Sequence, residues 1–120
     1  MGHYKELLAY QKAYQLAMKV FHVSKKFPPG EKYSLVDQIR RSSRSVCTNL
    51  AEAHRRKRYK DYFISKLNDA ETENAETEVW LDFSKDCNYI AVEEYEELIS
   101  LNTEVGKLTW FMINNPEKFM

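Results

Sequence analysis

Residues that interrupt helices are scarce in this chain. Its 120 residues include only three glycines and three prolines, and two of the prolines, Pro28 and Pro29, are adjacent. A many-stranded sheet protein needs turn residues at short intervals, so this scarcity argues against sheets and for long helices. The sequence therefore predicts an all-α chain. At this length the default expectation is one domain over residues 1–120.

Apolar residues recur at the i, i+3, i+4, i+7 spacing of a helix face in four segments. The predicted helices cover residues of about 4–27, 34–56, 59–88 and 92–114. The first ends where Pro28-Pro29-Gly30 disfavours helical geometry, and the second begins where Ser34 is a suitable N-cap. Four helices joined by short connectors predict antiparallel neighbours in an up-down-up-down bundle.

The middle of the third helix is unusually polar for a segment that has to pack. Four of the eight residues from Glu71 to Glu78 are glutamates, yet helical periodicity places some of Asn74, Thr77 and Glu78 on an inward face or against another chain. An unpartnered buried polar group costs about 1–3 kcal/mol, so these side chains need partners. Thr77 and Glu78 are therefore predicted to have structural roles, as is Asn49 beside the inward face of the second helix.

The chain has a formal net charge of zero, but its two halves are oppositely charged. Residues 1–60 contain fourteen Lys or Arg and four Asp or Glu, whereas residues 61–120 contain four and fourteen. The first helical hairpin is therefore basic, with a charge of +10, and the second is acidic, with a charge of −10. Such an asymmetry is typical of a chain whose basic part contacts nucleic acid or another acidic partner.

The candidates for phosphate contacts lie on the second helix and in the turn after it. Three arginines occupy adjacent turns of that helix, and a basic run ends it, with Tyr59 or Tyr62 available for base stacking. The predicted nucleic-acid-binding residues are Arg40, Arg41, Arg44, Arg55, Arg56, Lys57, Arg58 and Tyr59.

An alternative explanation of the charges remains open. The two hairpins attract each other inside one bundle, or the basic hairpin of one subunit meets the acidic hairpin of the next. More aromatics are present than one seam of slender helices can bury, and some are expected at a contact with another subunit or a protein partner. These aromatics are Trp80, Trp110, Phe83, Tyr62 and Tyr89.

Patterns typical of enzymes are absent from the sequence. His3, His22 and His54 are too far apart for an HExxH pair, and none follows a glutamate by three residues as in di-iron bundles. No Gly-rich phosphate loop, GxSxG elbow or cysteine-nucleophile setting occurs. We therefore expect no catalytic residue, no cofactor and no metal site. The N-terminal residues lack a secretory signal and no long apolar stretch occurs, so a cytoplasmic location without membrane contact is predicted.

Short segments over nearly the whole chain match a known family. They are Tyr10-Gln11-Lys12-Ala13, Phe27-Pro28, Tyr33-Ser34-Leu35, Gln38-Ile39-Arg40-Arg41-Ser42-Ser43, Ser45-Val46, Asn49-Leu50-Ala51-Glu52, Ala75-Glu76-Thr77-Glu78 and Asn88-Tyr89-Ile90. In these segments the chain resembles the four-helix-bundle proteins encoded by intervening sequences in bacterial 23S ribosomal RNA genes, which are related to the accessory variability protein of diversity-generating retroelements. The run from Gln38 to Glu52 is the most specific, and Glu52 is assigned a structural polar role with it.

The resemblance implies a left-handed four-helix bundle that assembles as a ring-shaped homopentamer and has a basic surface for nucleic acid. No catalysis is known for this family. Its members commonly have a glycine after the Asn-Ile-Ala-Glu stretch, where this chain has Ala53 and His54, so helix two is expected to extend further or turn differently. The prediction is a non-enzymatic homo-oligomer that binds RNA through its first hairpin. The alternative is a protein-interaction scaffold whose oppositely charged hairpins drive ring assembly.

Overall fold

Four α-helices make up most of the chain. The structure, a computed structural model, describes residues 2–120, and its helices are α1 (Leu8–Ser24), α2 (Leu35–Arg55), α3 (Lys60–Asp86) and α4 (Val92–Asn114). Short 3-10 segments lie at Tyr4–Glu6, Pro29–Glu31 and Pro116–Lys118. No strand occurs between residues 2 and 120, so the prediction of an all-helical chain with four helices is confirmed. None of the helices in that range has the length and apolar character needed to cross a membrane.

α1 begins four residues later than predicted. The His3 ring accepts a hydrogen bond from the Lys5 N–H at 3.2 Å and so starts a 3-10 turn. Leu7 then adopts an extended backbone, with φ −69° and ψ 126°, while its side chain is buried. Apolar spacing alone did not separate this turn from the helix, because the buried Leu7 continues the apolar pattern of α1.

The N-terminus of α2 is capped by a side chain other than the predicted one. Ser34 stands at the N-cap position, but its hydroxyl donates to the Glu31 carboxylate at 2.6 Å. That carboxylate also accepts hydrogen bonds from the Tyr89 hydroxyl at 2.8 Å and the Leu35 N–H at 3.5 Å. These bonds, chiefly those from Ser34 and Tyr89, lower the pKa of Glu31 because they favour its charged form. Ser34 is therefore the N-cap residue of α2, as predicted, but its side chain makes no capping hydrogen bond.

Each helix packs against two others, and together they form a rod of 44 × 25 × 20 Å. α2 packs on α1 and α3, and α4 packs on α3 and α1. Between α1 and α4, Lys12 lies 3.7 Å from Glu104 and Lys19 lies 3.0 Å from Glu97. Residue numbers therefore rise along α1 while they fall along α4, so these two neighbours run in opposite directions.

Two groups of buried apolar side chains fill the rod, one toward each end. Leu50, Phe63 and Leu67 belong to the group at the α2–α3 turn. Leu16 and Leu81 belong to the group at the opposite end. Full burial of a side chain of this size contributes about 1.5–3 kcal/mol.

A polar layer separates the two apolar groups. It consists of four buried residues, namely Ser42, Asn74, Thr77 and Asn102. The Asn74 side-chain amide donates to the backbone carbonyl of Asn102 at 3.0 Å. The Asn102 side-chain amide donates back to the backbone carbonyl of Asn74 at 3.2 Å. The Thr77 hydroxyl donates to that of Ser42 at 2.8 Å. Gly106 permits the close approach of α4, because a Cβ there would lie 3.0 Å from the Asn74 amide nitrogen. The polar layer thus ties α3 to both neighbours.

Candidate nucleic-acid interface

Arg41 contacts α3, unlike Arg40 and Arg44 of the same helix. Its Nη1 lies 2.9 Å from a Glu73 carboxylate oxygen, and its Nη2 donates to Glu76. Hydrogen bonds to Glu76 and Glu73 raise the pKa of Arg41, and the bond from Arg41 is the main reason why the pKa of Glu76 is lowered. Arg41 therefore belongs to the α2–α3 seam.

Arg40 and Arg44 lie on the other side of α2, against α1. The Arg40 Nε donates to the Ser24 hydroxyl at 2.8 Å. The guanidinium carbon of Arg40 is 4.8 Å from the Phe21 ring centroid, and that of Arg44 is 5.8 Å away. The Lys25 ammonium approaches the same ring to 4.6 Å. Cations at these distances are attracted by the aromatic ring. We name Phe21, Lys25, Arg40 and Arg44 the Phe21 cluster.

The cations of the Phe21 cluster form no ion pair with the part of the chain that the structure describes. Among residues 2–120, no carboxylate forms an ion pair with Lys25, Arg40 or Arg44. The adjoining surface groove contains one carboxylate among three guanidiniums. Its lining residues are Asp37, Gln38, Arg40, Arg41, Arg44, Ser45 and Thr48. An anion can approach Arg40 and Arg44 here without displacing an existing ion pair.

Aromatic side chains extend the Phe21 cluster along α1. Tyr10, Tyr14 and Phe21 are separated by four and seven residues, which places them on one side of the helix. The Tyr10 ring centroid is 4.9 Å from that of Tyr4 and 6.1 Å from that of Tyr14. Phe21 of the same side contacts Arg40 and Arg44 of α2, so this side of α1 borders the α1–α2 seam. We name Tyr4, Tyr10 and Tyr14 the tyrosine row.

Sequence reasoning did not identify Phe21, Lys25 or the tyrosine row as site residues. The available signal was their spacing, because positions 10, 14, 21 and 25 repeat at helical intervals on a side distinct from the buried positions 9, 13, 16 and 20. That pattern reveals a second stripe on α1. It does not reveal which helix lies beside the stripe.

The basic run after α2 forms a second group of cations. Arg55 ends α2 and is exposed. The guanidinium carbon of Arg56 is 5.4 Å from the Tyr62 ring centroid, and that of Arg58 is 5.3 Å from the Tyr59 ring centroid. We name residues 55–59 the basic turn. The structure thus divides the predicted site into the Phe21 cluster, the basic turn and the separate Arg41.

Burial lowers the pKa of His54, which lies at the end of α2 next to the basic turn. Lys57 acts in the same direction, since its Nζ lies 3.4 Å from the His54 Nε2. His3 adds to this effect and Glu6 opposes it. As pH falls through the usual value of 6.5, the unfolded chain binds a proton that the folded chain does not bind. The free energy of unfolding therefore decreases below that pH.

We expect urea denaturation to give a lower free energy of unfolding at about pH 5.5 than at about pH 7.5. His54→Gln should make this decrease smaller by the amount that protonation of His54 contributes. The exposed His22 provides a matched control, because His22→Gln should keep the whole decrease. Identical pH profiles for the parent protein and His54→Gln would contradict this assignment.

Opposite charges on the two hairpins meet along both outer seams of the chain. The pairs with α4 are Lys12–Glu104 and Lys19–Glu97 from α1 and Lys26–Glu94 from the turn after it, and those between α2 and α3 are Arg41–Glu73, Arg41–Glu76 and Lys66–Glu52. Such exposed pairs contribute about 0–1 kcal/mol each. Attraction between the hairpins within one chain, one of the explanations left open by the sequence, thus occurs. Among residues 2–120 it leaves Lys25, Arg40 and Arg44, on the outer α1–α2 face, without an ion pair.

The residues predicted to have structural polar roles are placed differently from one another. Thr77 is buried in the polar layer, whereas Glu78 is exposed. Asn49 is half-buried and donates to a backbone carbonyl of its own helix at 2.9 Å. Glu52 is exposed and pairs with a lysine of α3 at 2.9 Å. Asn102 was not predicted, although its spacing from other buried positions of α4 would have identified it.

The fold and the site define a small all-helical protein of four helices with one basic outer face. Among residues 2–120, no three or more His, Cys, Asp and Glu side chains are grouped so that they could hold a metal ion. The chain belongs to the 23S rRNA-intervening sequence protein family, whose sequence profile matches residues 5–110. The resemblance inferred from the sequence is therefore confirmed.

A solved structure supports the same assignment. The chain is similar to a protein of unknown function from the S23 ribosomal protein family of Bacteroides thetaiotaomicron, whose crystal structure was determined at 1.70 Å resolution. The sequences are 31% identical, the TM-score is 0.81, and the match covers 89% of this chain and 96% of the other. No curated protein matches the chain. The function of the family is unknown, and neither match names an enzymatic activity.

Proposed function

We propose that this protein is a non-enzymatic, oligomeric nucleic-acid-binding protein that contacts RNA through the outer face of α1 and α2. The observation that carries this proposal is the set of three cations around Phe21, which have no acidic partner among residues 2–120. Arginine presents a planar fork of donors that matches phosphate geometry. RNA is the nucleic acid proposed because the family is named for 23S rRNA.

In this proposal the predicted binding residues have unequal roles. Arg40 and Arg44 contact phosphates together with Lys25, and the basic turn supplies further cations along the same hairpin. By helical geometry Arg55 lies about 16 Å from Arg44 and on nearly the same side of α2. Arg41 supports the fold instead, because Glu73 and Glu76 hold its guanidinium.

We further propose a left-handed, up-down-up-down bundle that assembles as a homo-oligomer, with the five subunits that the resemblance implies. An apolar groove between α2 and α3 supports self-association, because Phe83 at its edge is 54% exposed. The groove is lined by Glu31, Ser34, Leu35, Gln38, Trp80, Phe83 and Cys87. Burial of this apolar surface against another subunit would be favourable. The cytoplasmic location stays a prediction from the N-terminal residues.

Titration of a labelled RNA hairpin with single-stranded tails, followed by fluorescence anisotropy, tests RNA binding. We expect binding at 50 mM salt and a steep loss of affinity at 200 mM. Three phosphate contacts predict that log K falls by about 2 per log unit of salt. Failure to bind this RNA at 50 mM salt would overturn the proposed function.

A protein-interaction scaffold is the second candidate function. The complementary charges along the seams favour it, because the same basic and acidic hairpins could pair between subunits. Sedimentation velocity at 50 mM salt distinguishes the candidates when it is combined with the RNA titration. An oligomer that binds no RNA would support the scaffold.

A further inference from the structure

We propose that the outer face of α1 and α2 is a site for single-stranded nucleic acid, in which unpaired bases stack on the tyrosine row while phosphates contact the Phe21 cluster. This inference rests on the proposed function and specifies its ligand. Its basis is a juxtaposition that the sequence alone did not give. Phe21 meets the cations of α2, and the exposed Tyr14 continues the same side of α1 away from Phe21.

The aromatic side chains of α1 and the basic side chains of α2 extend over similar lengths of the rod. Tyr10 and Phe21 are eleven residues apart on α1, or about 16 Å, and Arg40 and Arg55 are fifteen residues apart on α2, or about 22 Å. At the stacked spacing of about 3.4 Å per nucleotide, this length holds roughly five or six nucleotides. A short strand can therefore contact both rows at once.

Tyr14 is the side chain best placed to stack on a base. It is 53% exposed, whereas Tyr10 is half-buried between the rings of Tyr4 and Tyr14. Tyr10 and Tyr4 thus support Tyr14 from one side. A surface groove beside these rings is lined by Tyr4, Lys5, Tyr10, Gln11 and Tyr14. Open space next to an exposed ring is what a base needs in order to stack.

Phe21 has a different part in this site, because cations already cover its ring. Lys25, Arg40 and Arg44 all lie within 4.6–5.8 Å of its centroid. The ring therefore positions the charged groups and keeps them on the outer face. A guanidinium held in this way offers its donors to phosphate and its plane to a base.

The tyrosine row favours binding of a single strand over binding of a duplex. Bases in a duplex stack on each other, so their faces are closed to protein side chains, and a duplex would contact only the cations. Single-stranded nucleic acids are bound by positively charged grooves in which aromatic rings stack on successive bases. The outer face of α1 and α2 combines these two features.

The test measures binding of the full chain to four labelled oligomers of equal length. They are a single-stranded uridine RNA, the corresponding DNA strand, an RNA duplex and an abasic strand with the same phosphate number. We expect both single strands to bind at least about tenfold more tightly than the duplex and the abasic strand at 50 mM salt. The ratio of RNA to DNA affinity then distinguishes the two possible sources of the strand.

Tyr14→Leu should weaken single-strand binding by about 5- to 150-fold, the range expected for the loss of one stacked base. It should change neither the abasic affinity nor the salt slope, because no phosphate contact is removed. Tyr14→Phe keeps the ring and should bind like the parent protein. The matched control is Phe111→Leu on α4, since Phe111 is 47% exposed and also has a cation, Lys118, 5.2 Å from its centroid.

Three results would overturn the single-strand site. The duplex could bind as tightly as the single strands, Tyr14→Leu could bind like the parent protein, or Tyr14→Leu could dissociate the oligomer in sedimentation velocity, which would make this face a subunit contact. The first two results leave phosphate binding intact, so the proposed function survives them. If none of the oligomers nor the hairpin RNA binds at 50 mM salt, both proposals fail.

Discussion

Replacing Arg40 and Arg44 together by glutamate is expected to weaken RNA binding by roughly 60-fold at 50 mM salt. Each phosphate contact to a single strand contributes about 0.7 to the slope of log K against log salt, so two lost contacts remove about 1.4. Between about 1 M salt, where screening is nearly complete, and 50 mM, this difference in slope gives the stated factor. The new carboxylates also repel phosphate, so the loss of RNA affinity should be at least this large.

The double reversal should leave the fold intact. Arg44 is exposed and Arg40 is half-buried, and Ser24 keeps its hydrogen bond to the Phe21 carbonyl at 3.0 Å after Arg40 is lost. We expect the free energy of unfolding to fall by about 1 kcal/mol at most, mainly because Arg40 loses its hydrogen bond to Ser24. Anisotropy with the tailed RNA hairpin measures the first effect, and urea denaturation measures the second.

Arg41→Glu is the matched control for RNA binding. It removes contacts with Glu73 and Glu76 and places a third carboxylate beside them, so we expect a loss of about 1 kcal/mol in the free energy of unfolding. RNA affinity should fall less than in Arg40→Glu or Arg44→Glu, because Arg41 borders the same groove but its guanidinium is already paired with Glu73 and Glu76. If Arg41→Glu weakens binding as much as either Arg40→Glu or Arg44→Glu alone, binding follows total charge and the Phe21 cluster is not the site.

Asn102→Asp is expected to lower the free energy of unfolding by about 4 kcal/mol at pH 7, although the two side chains have nearly the same shape. Asn102 is 1% exposed, and its amide donates to the Asn74 carbonyl. Its Oδ1 has no hydrogen-bond partner among residues 2–120. An ionised aspartate at this position would therefore be buried without a counter-ion and would face a carbonyl oxygen.

The pH dependence of this loss has a defined sign. Burial raises the pKa of such a carboxyl by about 3–5 units, so the folded variant stays protonated at pH 7 while the unfolded chain ionises near 3.9. About three units at roughly 1.4 kcal/mol each give the stated loss, which grows as pH rises from about 4 to 7. Urea denaturation at both pH values measures it.

Asn68→Asp makes the same chemical change on the surface and serves as the control. Asn68 is exposed on α3, and its amide donates to the Ile64 carbonyl of its own helix at 3.1 Å. We expect a change below about 0.5 kcal/mol with little pH dependence. If Asn102→Asp lowers the free energy of unfolding as little as Asn68→Asp does, or by the same amount at both pH values, water reaches the polar layer.

The helices could be predicted from the sequence because their buried positions repeat at helical spacing even where they are polar. In α3, Phe63, Leu67, Ala70, Asn74 and Thr77 keep that spacing, and the helix runs from residue 60 to 86, within the predicted 59–88. The start of α1 could not be predicted in this way. A 3-10 turn followed by one extended, buried residue leaves almost the same apolar pattern as another helical turn.

The arrangement of the site could not be predicted for a geometrical reason. Arg40 and Arg41 are neighbours in sequence, but about 100° separates adjacent residues around a helix. That angle decides whether a side chain reaches Phe21 on α1 or Glu76 on α3. The sequence predicts which residues of α2 share a side of the helix. Which neighbouring helix lies against each side depends on how all four helices pack.

The cancelled charges along the seams leave the rod with a transverse electric dipole. The cations around Phe21 remain on one outer face, whereas exposed carboxylates such as those of Glu78 and Glu96 lie on the other hairpin. Because the molecule has no net charge, a distant polyanion does not attract it through its net charge. Within a Debye length of about 8–10 Å, however, the dipole orients the basic face toward the polyanion. The approach would therefore be oriented before contact, and added salt would slow association as well as loosen the complex.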